Sequence, residues 1–299
     1  MKTGFVSIIG RPNVGKSTLL NAILGEKIAI TTDKPQTTRN TIRGIYTHYA
    51  DDMVKDDMQM VFIDTPGIHR PRTKLGKYMT DAAVGTFNEV EAIIFIVDDK
   101  LSAGPGDKYI VDMLDDITTP KVLVINKIDK LEPEAFEQIY KEYDELGIFE
   151  EIIGVSAKEG KNVQSVIKAV SEFMEEGPMF FPDDMVTEHP ERFIVSEIIR
   201  EKILMYLQDE VPHGVAVEIE RYKEESEITR ISAVIYCEKK SHKGMIIGKG
   251  GRKLKGIGKS AREEIEALLG TKVFLEMWVK VKENWRDSDI ALSNFGYKD

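Results

Sequence analysis

The chain has 299 residues, of which 42% are hydrophobic and 31% charged, and its formal net charge is -10. This length suffices for two domains with separate hydrophobic cores, and the acidic balance argues against nucleic-acid binding by the whole surface while leaving room for a local basic patch. The single cysteine excludes an internal disulfide framework, and because no apolar run approaches the ~18 residues of a membrane-spanning helix, we expect a cytoplasmic protein.

Residues 1–176 alternate short apolar runs with amphipathic stretches, the pattern of a mostly parallel sheet covered by helices on both faces. The predicted buried strands are 5–9, 60–63, 92–97, 122–125 and 152–155. The predicted helices begin at Lys16, Thr73, Asp107, Pro133 and Val163. Two further runs, 41–49 and 58–63, flank an acidic segment and predict an antiparallel hairpin. These residues are therefore predicted to form one α/β domain.

Residues 177–190 contain several prolines, break this pattern and are predicted to be a linker. A second domain is predicted from 191 to 299. It begins with a helical face over 192–207 and continues with strand-like and helical runs, namely strands at 215–221 and 228–237, a basic glycine-rich segment, a helix that ends at Leu269 and a strand at 273–281. Cys237 alternates with apolar neighbours and is expected in the core. The order α-β-β-α-α-β predicts an α+β domain.

A glycine loop between the first strand and the first helix is the first motif that indicates chemistry. It reads Gly10-Arg11-Pro12-Asn13-Val14-Gly15-Lys16-Ser17 and fits the P-loop pattern GxxxxGK[ST]. In such a loop, backbone N–H groups surround phosphates, the lysine contacts the outer phosphates and the hydroxyl ligates Mg²⁺. We predict a nucleotide site formed by these residues and Thr18.

Three further motifs follow later strands, at the edge where α/β sheets bind ligands. Asp64-Thr65-Pro66-Gly67 supplies a carboxylate for Mg²⁺ and a glycine N–H for the γ-phosphate. In Asn126-Lys127-Ile128-Asp129, the last carboxylate can accept both N–H groups of the guanine N1/N2 edge, which adenine lacks. Ser156-Ala157-Lys158 places a backbone N–H near guanine O6. The set predicts selection of GTP over ATP.

With these motifs the chain resembles the translation-factor-type GTPases, which carry a switch threonine between the P-loop and DTPG. Thr38 is the preferred Mg²⁺ ligand, and Thr37 is the alternative.

Where Ras-like GTPases hold a water-orienting Gln after the DTPG glycine, this chain has Ile68, so hydrolysis is expected to be slow or to use another device. In related GTPases a P-loop Asn helps to hold K⁺ beside the phosphates. Asn13 is the candidate, and the alternative is an Asn that only shapes the loop. The predicted catalytic set is Lys16, Thr38, Gly67 and Asn13.

A second glycine loop lies in segment 239–262, which has nine Lys/Arg and no acidic residue. Such charge binds backbone phosphates, and the glycines let the backbone approach them, while Leu254 and neighbouring isoleucines are expected to line an apolar groove. The predicted RNA-binding residues are Lys243, Ile246, Ile247, Gly248, Lys249, Gly250, Gly251, Arg252, Lys253 and Lys255. With the α-β-β-α-α-β order, this region resembles a type II KH domain, which clamps about four single-stranded nucleotides. The alternative is a solvated basic face.

A P-loop GTPase domain followed by a type II KH domain is the architecture of the Era family. The motifs GRPNVGKSTLLN, QTTR, DTPG, NKID, SAKEG, IIGKGG and KENWRDSDIALSNFGY resemble that family over residues 4–297. The resemblance implies a monomeric GTPase that uses GTP/GDP and Mg²⁺, binds the 3′ end of 16S ribosomal RNA and assists small-subunit maturation. It also implies peripheral membrane association and a link to the cell cycle. The acidic loop 51–57 departs from the family pattern. The competing hypothesis is a signalling switch whose basic face meets anionic membrane or a protein effector.

Overall fold

The structure, a computed structural model, describes residues 1–50, 56–100, 102–208 and 211–297. The chain divides into two compact units. The first comprises Met1–Ala29, Thr38–Pro71 and Met79–Glu188, and the second comprises Ile30–Thr37, Arg72–Tyr78 and His189–Asp299. Two short segments from the N-terminal half thus belong to the second unit. Residues 51–55 of the acidic loop lie outside the described residues.

The first unit is built on a sheet that has seven strands within the described residues, in the order β2-β3-β1-β4-β5-β6, with β7 beside β1. The bounds are β1 Lys2–Ile9, β2 Ile42–His48, β3 Met58–Asp64, β4 Ala92–Val97, β5 Lys121–Asn126, β6 Glu151–Val155 and β7 Glu175–Glu176. β2 is antiparallel to β3 and β7 to β1, while the other pairs are parallel. The predicted hairpin and the mostly parallel sheet are confirmed.

Five helices accompany the described part of this sheet, namely α1 Lys16–Leu24, α2 Lys74–Val84, α3 Pro105–Leu114, α4 Pro133–Asp144 and α5 Val163–Ser171. α3 begins two residues before the predicted start at Asp107. Proline occupies its first position, where its missing N–H costs nothing. Asp107 is the third residue of the helix and accepts the Gly104 N–H at 3.2 Å. Its carboxylate therefore caps the helix N-terminus from within the first turn, and the helix begins before it.

Much of the predicted linker packs along β2 and β3 within the first unit. The Gln59 side-chain oxygen accepts the N–H groups of Phe180 at 2.7 Å and Phe181 at 2.9 Å. Ile45 donates its N–H to the Val186 carbonyl at 2.8 Å. Residues 177–188 are therefore held to the sheet by hydrogen bonds to the Gln59 side chain and to the backbone of β2.

The second unit contains the predicted α-β-β-α-α-β order and a further short helix. Its elements are α6 Glu191–Tyr206, β8 Ala216–Glu224, β9 Ile228–Cys237, α7 Lys240–Ile247, α8 Arg252–Leu269, β10 Lys272–Val281 and α9 Asp289–Asn294. The strand order is β10-β9-β8, with β9 parallel to β10 and antiparallel to β8. A parallel pair needs a crossover, which α7 and α8 supply. Cys237 is fully buried in the core, as predicted.

The tail after β10 is part of this second unit. Trp285 is fully buried and donates its indole N–H to the Gly214 carbonyl at 2.9 Å. Its ring stacks on Tyr297 with the centroids 5.9 Å apart. No helix in the described ranges is long and apolar enough to cross a membrane.

Candidate nucleotide site and nucleic-acid interface

The four nucleotide motifs meet at the carboxyl ends of β1, β3, β5 and β6 in the first unit. The P-loop turns from β1 into α1 through left-handed backbone at Asn13, φ 67°, and Gly15, φ 108°. A Cβ on Gly15 would lie 2.1 Å from Nδ2 of Asn126, so only glycine allows this approach. The same Nδ2 donates to the Val14 carbonyl at 2.8 Å. The NKID motif is thereby tied to the P-loop.

The P-loop lysine is buried among the loop's own carbonyl groups. Lys16 Nζ donates to the carbonyl oxygens of Gly10 at 3.2 Å and Arg11 at 2.9 Å. Burial lowers the pKa of Lys16 to about 8, although the neighbouring Asp64 acts in the opposite direction. A phosphate at this loop would favour the charged ammonium, so the geometry suits binding of a polyanion.

Asp64 lies at the centre of the predicted metal site and is fully buried. Its Oδ2 accepts hydrogen bonds from Ser17 Oγ at 2.6 Å and Thr38 Oγ1 at 3.3 Å. Its Oδ1 has no hydrogen-bond partner among the described residues. Burial raises the pKa of Asp64 to about 6. A buried carboxylate oxygen without a donor, beside two hydroxyl groups, fits Mg²⁺, which binds few protein oxygens and completes its shell with phosphate and water.

The two candidate switch threonines occupy different surroundings. Thr38 Oγ1 lies 2.8 Å from Ser17 Oγ, whereas Thr37 Oγ1 donates to the Lys34 carbonyl at 2.6 Å and lies 2.6 Å from Thr32 Oγ1. Thr37 therefore stabilises its own turn, and Thr38 is the threonine beside the other predicted metal ligands.

The NKID and SAK motifs form one hydrogen-bond network. Asp129 Oδ1 accepts from Ser156 Oγ at 2.6 Å, and this bond lowers the pKa of Asp129. Ala157 N–H donates to Asn126 Oδ1 at 3.0 Å. Lys127 Nζ donates to the Asn13 carbonyl at 3.0 Å. The carboxylate that would read guanine is thus kept ionised and oriented by the neighbouring motif.

The remaining predicted members of the nucleotide site lie in the same loops. Thr65 Oγ1 donates to the Ile8 carbonyl at 2.8 Å, and Ile68 N–H donates to the Gly10 carbonyl at 3.1 Å. These bonds hold the DTPG motif against the P-loop. Pro12, Thr18, Pro66, Gly67 and the exposed Lys158 complete the set.

The side chain after the DTPG glycine is removed from the site. Ile68 is fully buried in the hydrophobic core with Ile9, Ile63 and Phe87. The side chain at this position therefore presents no polar group to the site. Asn13 is exposed on the loop.

Two carboxylates that the sequence analysis missed support the P-loop. Arg11 forms ion pairs with Asp98 at 2.8 Å and Asp107 at 2.5 Å. Lys127 Nζ lies 3.4 Å from Asp98. Asp98 comes directly after β4, so the rule that located Asp64 at the carboxyl end of β3 could have found it.

The second glycine loop connects α7 to α8 in the second unit. Gly248, Gly250 and Gly251 have φ values of 71°, 61° and 75°, backbone that favours glycine. Apart from the chain neighbours, no atom of the described residues lies within 4 Å of a Cβ built on Gly250 or Gly251. The loop is therefore open on this side, and a phosphate could approach its backbone.

A groove of about 850 Å³ extends from this loop between α8 and β10. Its lining combines cations with apolar side chains, namely Gly251, Arg252, Leu254, Lys255, Gly256, Gly258, Lys259, Arg262, Leu275 and Met277. Lys259 and Arg262 were not among the predicted RNA-binding residues. Their spacing from Arg252 and Lys255, at three and four residues along a helix, places all four on one face. This spacing could have predicted them from the sequence.

The predicted RNA-binding residues differ in exposure. Ile246 is fully buried in the core, so its side chain is not exposed on the groove as predicted. The cause is the helical period, which turns Ile246 inward. Ile247 is partly buried against the same core. The others are exposed or half-buried, namely Lys243, Gly248, Lys249, Gly250, Gly251, Arg252, Lys253 and Lys255.

Models of two known protein families match this chain, one in each half. A family model described as "50S ribosome-binding GTPase" matches residues 5–127. A second model, described as "KH domain", matches residues 210–286.

Characterised relatives match along the whole length. The chain is 59% identical to the GTPase Era of Alkaliphilus oremlandii over 298 residues, 99% of each chain. It is 57% identical to that of Clostridioides difficile over 302 aligned positions, covering 100% of this chain and 99% of the relative. A crystal structure of Era in complex with MgGDPNP and nucleotides 1506–1542 of 16S ribosomal RNA superposes with a TM-score of 0.94, at 37% identity and with both chains fully covered. An Aquifex aeolicus Era variant bound to GDP·AlF₄⁻ gives 0.92 at 36% identity, again with full coverage of both chains.

Proposed function

The chain belongs to the Era family of GTPases, and we propose that it is a GTP-hydrolysing switch whose KH domain binds the 3′ end of 16S ribosomal RNA during small-subunit maturation. The full-length match to the RNA-bound Era supports the choice of RNA. The family model that names the 50S subunit matches only residues 5–127, which contain none of the basic glycine loop. It therefore carries no argument about the RNA that the loop binds.

The observation that carries the nucleotide half is the pair Asp129–Ser156. The hydroxyl holds one carboxylate oxygen and lowers the pKa of Asp129, so an ionised acceptor is available for the N1/N2 donors of guanine. An adenine would leave this acceptor unpaired, at a cost that is large for a charged group. We infer that GTP and GDP are the nucleotides bound.

Mg²⁺ would be held by Ser17, Thr38 and Asp64, and when bound it neutralises phosphate charge during transfer. Lys16 and the Gly67 N–H would contact the outer phosphates. Asn13 is proposed to supply an oxygen to K⁺ beside them, since the buried side chain of Ile68 offers no polar group there.

The RNA half depends on the open glycine loop and the groove beside it. Backbone at Gly250 and Gly251 can meet phosphates, while the apolar groove floor can receive bases. We propose that the GTPase domain spans 1–176 and the KH domain 191–299. GTP and Mg²⁺ would order residues 31–40 and the DTPG region, and hydrolysis would release them and change access to the groove.

Peripheral membrane contact is proposed to be secondary, since the same cations would attract anionic lipid. The decisive experiment compares binding to the 16S 3′-terminal single strand, duplex RNA and anionic vesicles at two salt concentrations. The proposal expects single-stranded RNA to bind best at both. Equal binding to vesicles and RNA, with the same salt dependence, would show that charge alone is recognised.

A further inference from the structure

Residues 31–37 lie against α6 within the second unit and are held at both ends by adjacent side chains of that helix. Glu201 Oε1 accepts the Thr31 N–H at 2.9 Å. Arg200 donates to the carbonyl oxygens of Gln36, at 3.4 Å, and Thr37. The stretch that precedes the switch threonine is thus bound to the helix that opens the KH domain.

Arg200 is held in place for this contact. Its side chain is 1% exposed. Its Nε donates to Glu197 Oε1 at 2.7 Å, and Nη2 pairs with the other carboxylate oxygen. A planar guanidinium paired in this way is fixed in orientation. Buried ion pairs contribute little net stability, and the best-attested reason to keep one is that it specifies a position.

The backbone next to this contact is strained. Gln36 has φ 61°, a left-handed conformation that non-glycine residues rarely adopt and that persists only where the surroundings fix it. Its carbonyl and the next one both accept hydrogen bonds from Arg200. Arg200 therefore stabilises the turn immediately before Thr38.

We propose that Arg200 is a positioning residue for Thr38. The Thr37 carbonyl and the Thr38 N–H belong to one planar peptide group, so a donor that fixes the carbonyl also fixes where the Thr38 side chain begins. This inference rests on the proposed function, in which Thr38 ligates Mg²⁺ in the GTP state. By linkage, occupancy of the metal site strengthens the Arg200 contacts on α6, and those contacts strengthen occupancy.

The test measures the affinity of the full chain for Mg²⁺ with a non-hydrolysable GTP analogue, and separately for GDP. Arg200→Ala is expected to weaken analogue binding about tenfold and GDP binding less than about twofold, because the P-loop and guanine contacts remain. Arg200→Lys should give an intermediate loss, since one ammonium can reach one carbonyl. Arg192→Ala is the matched control, because Arg192 lies on the same helix and donates to the Ile219 carbonyl.

Removing one member of a buried ion pair can unfold the unit. A second variant therefore replaces both members of the Arg200–Glu197 pair, as Arg200→Met with Glu197→Gln. A double-mutant cycle with Thr38→Ala identifies the route of the effect. If Arg200 acts through Thr38, adding Arg200→Ala to Thr38→Ala causes no further loss. Additive losses, or equal losses for analogue and GDP, overturn the inference.

The cycle also separates this inference from the proposed function. If Thr38→Ala weakens analogue binding and neither Arg200 variant does, only the role of Arg200 is wrong. If Thr38→Ala leaves analogue binding unchanged, the metal-binding role of Thr38 fails, and the inference about Arg200 fails with it.

Discussion

Ser156 Oγ donates a 2.6 Å hydrogen bond to Asp129 Oδ1, joining two motifs that are 27 residues apart in the chain. The bond lowers the pKa of Asp129 and fixes one of its oxygens. The protein itself thus orients this carboxylate, which reduces the cost of ordering it when a nucleotide binds.

Exchanging this carboxylate for an amide should change base preference. Asp129→Asn replaces two acceptor oxygens by one acceptor and one donor, which matches the C2 carbonyl of xanthine better than the amino group of guanine. GTP affinity should fall about a hundredfold and xanthosine triphosphate affinity should rise. Competition binding measures both. Equal affinity of the unaltered protein for ATP and GTP would contradict the role given to Asp129.

Metal binding should weaken in acid because of Asp64. Its pKa is raised to about 6, and only the ionised carboxylate binds Mg²⁺. Below about pH 6, Mg²⁺ affinity in the presence of a GTP analogue should therefore fall by up to about tenfold for each pH unit. In Asp64→Asn, an amide that can still accept from Ser17, the affinity should be low and nearly independent of pH.

The raised pKa of Asp64 also determines whether the free energy of unfolding rises or falls with pH. The ionised form is disfavoured in the folded state, so without Mg²⁺ the stability contributed by this group falls as the pH rises through about 4 to 6. Denaturant unfolding across this window should show the fall in the unaltered protein and a smaller one in Asp64→Asn. Stability that rises over this window because of Asp64 would contradict the assignment.

Potassium should accelerate hydrolysis if Asn13 helps to hold it. We expect hydrolysis several-fold to tenfold faster in KCl than in NaCl at equal ionic strength, because a fixed cation can stabilise transition-state charge. Asn13→Ala should remove the difference. The reference is Asn13→Asp, which keeps a side-chain oxygen and should retain part of it. Equal rates in the two salts would show that Asn13 only shapes the loop.

The open glycine loop permits a clean test of RNA binding. A Cβ added at Gly250 or Gly251 meets no atom of the described residues other than its chain neighbours, and Asp tolerates left-handed backbone better than most residues. The double variant Gly250→Asp, Gly251→Asp should lose RNA affinity at least tenfold through repulsion of phosphates, with GDP affinity unchanged.

Two controls separate charge from geometry at this loop. The double change to Asn keeps the shape without the charge and should cost less. Gly270→Asp, compared with the single variant Gly250→Asp, places one negative charge at another glycine with φ 63° and open space, at the far end of α8, and should have little effect. Equal RNA loss in the Gly270 variant would show that only net charge matters.

Trp285 tests whether the tail stabilises the KH domain. Trp285→Ala removes a fully buried ring and its hydrogen bond to Gly214, and should cost about 3–5 kcal/mol of the free energy of unfolding. Trp285→Phe, which keeps most of the ring volume, should cost about 1–3 kcal/mol through the orphaned carbonyl. Thermal and denaturant unfolding measure both. A cost below 1 kcal/mol for Trp285→Ala would show that the tail is dispensable.

The nucleotide site was predictable because its chemistry is local in sequence. Each of Lys16, Asp64 and Asp129 belongs to a short motif at the carboxyl end of a strand, so the sheet brings them to one edge. Ser156 was predicted as part of the site, but its hydrogen bond to Asp129 was not, because that contact depends on side-chain geometry between two loops. Strand β7, two exposed glutamates, carries no apolar period and was not predicted.

The contents of the second unit were harder to predict. Residues 30–37 and 72–78 lie far along the chain from the KH domain, and no periodicity shows that they belong with it. Their placement depends on contacts such as that of Lys74 N–H with Asp287 Oδ1 at 3.0 Å. Helix α9 was missed because its six residues are too few for a helical pattern to emerge.

The central claim is that nucleotide state controls the RNA surface, and one measurement tests it directly. The affinity of the full chain for the 3′-terminal strand of 16S ribosomal RNA is measured with saturating Mg²⁺ and either a non-hydrolysable GTP analogue or GDP. We expect binding about five- to a hundredfold tighter with the analogue, the range of a typical coupling free energy, and the same affinity in both states for Thr38→Ala. Equal affinity in the two nucleotide states of the unaltered protein would contradict the account.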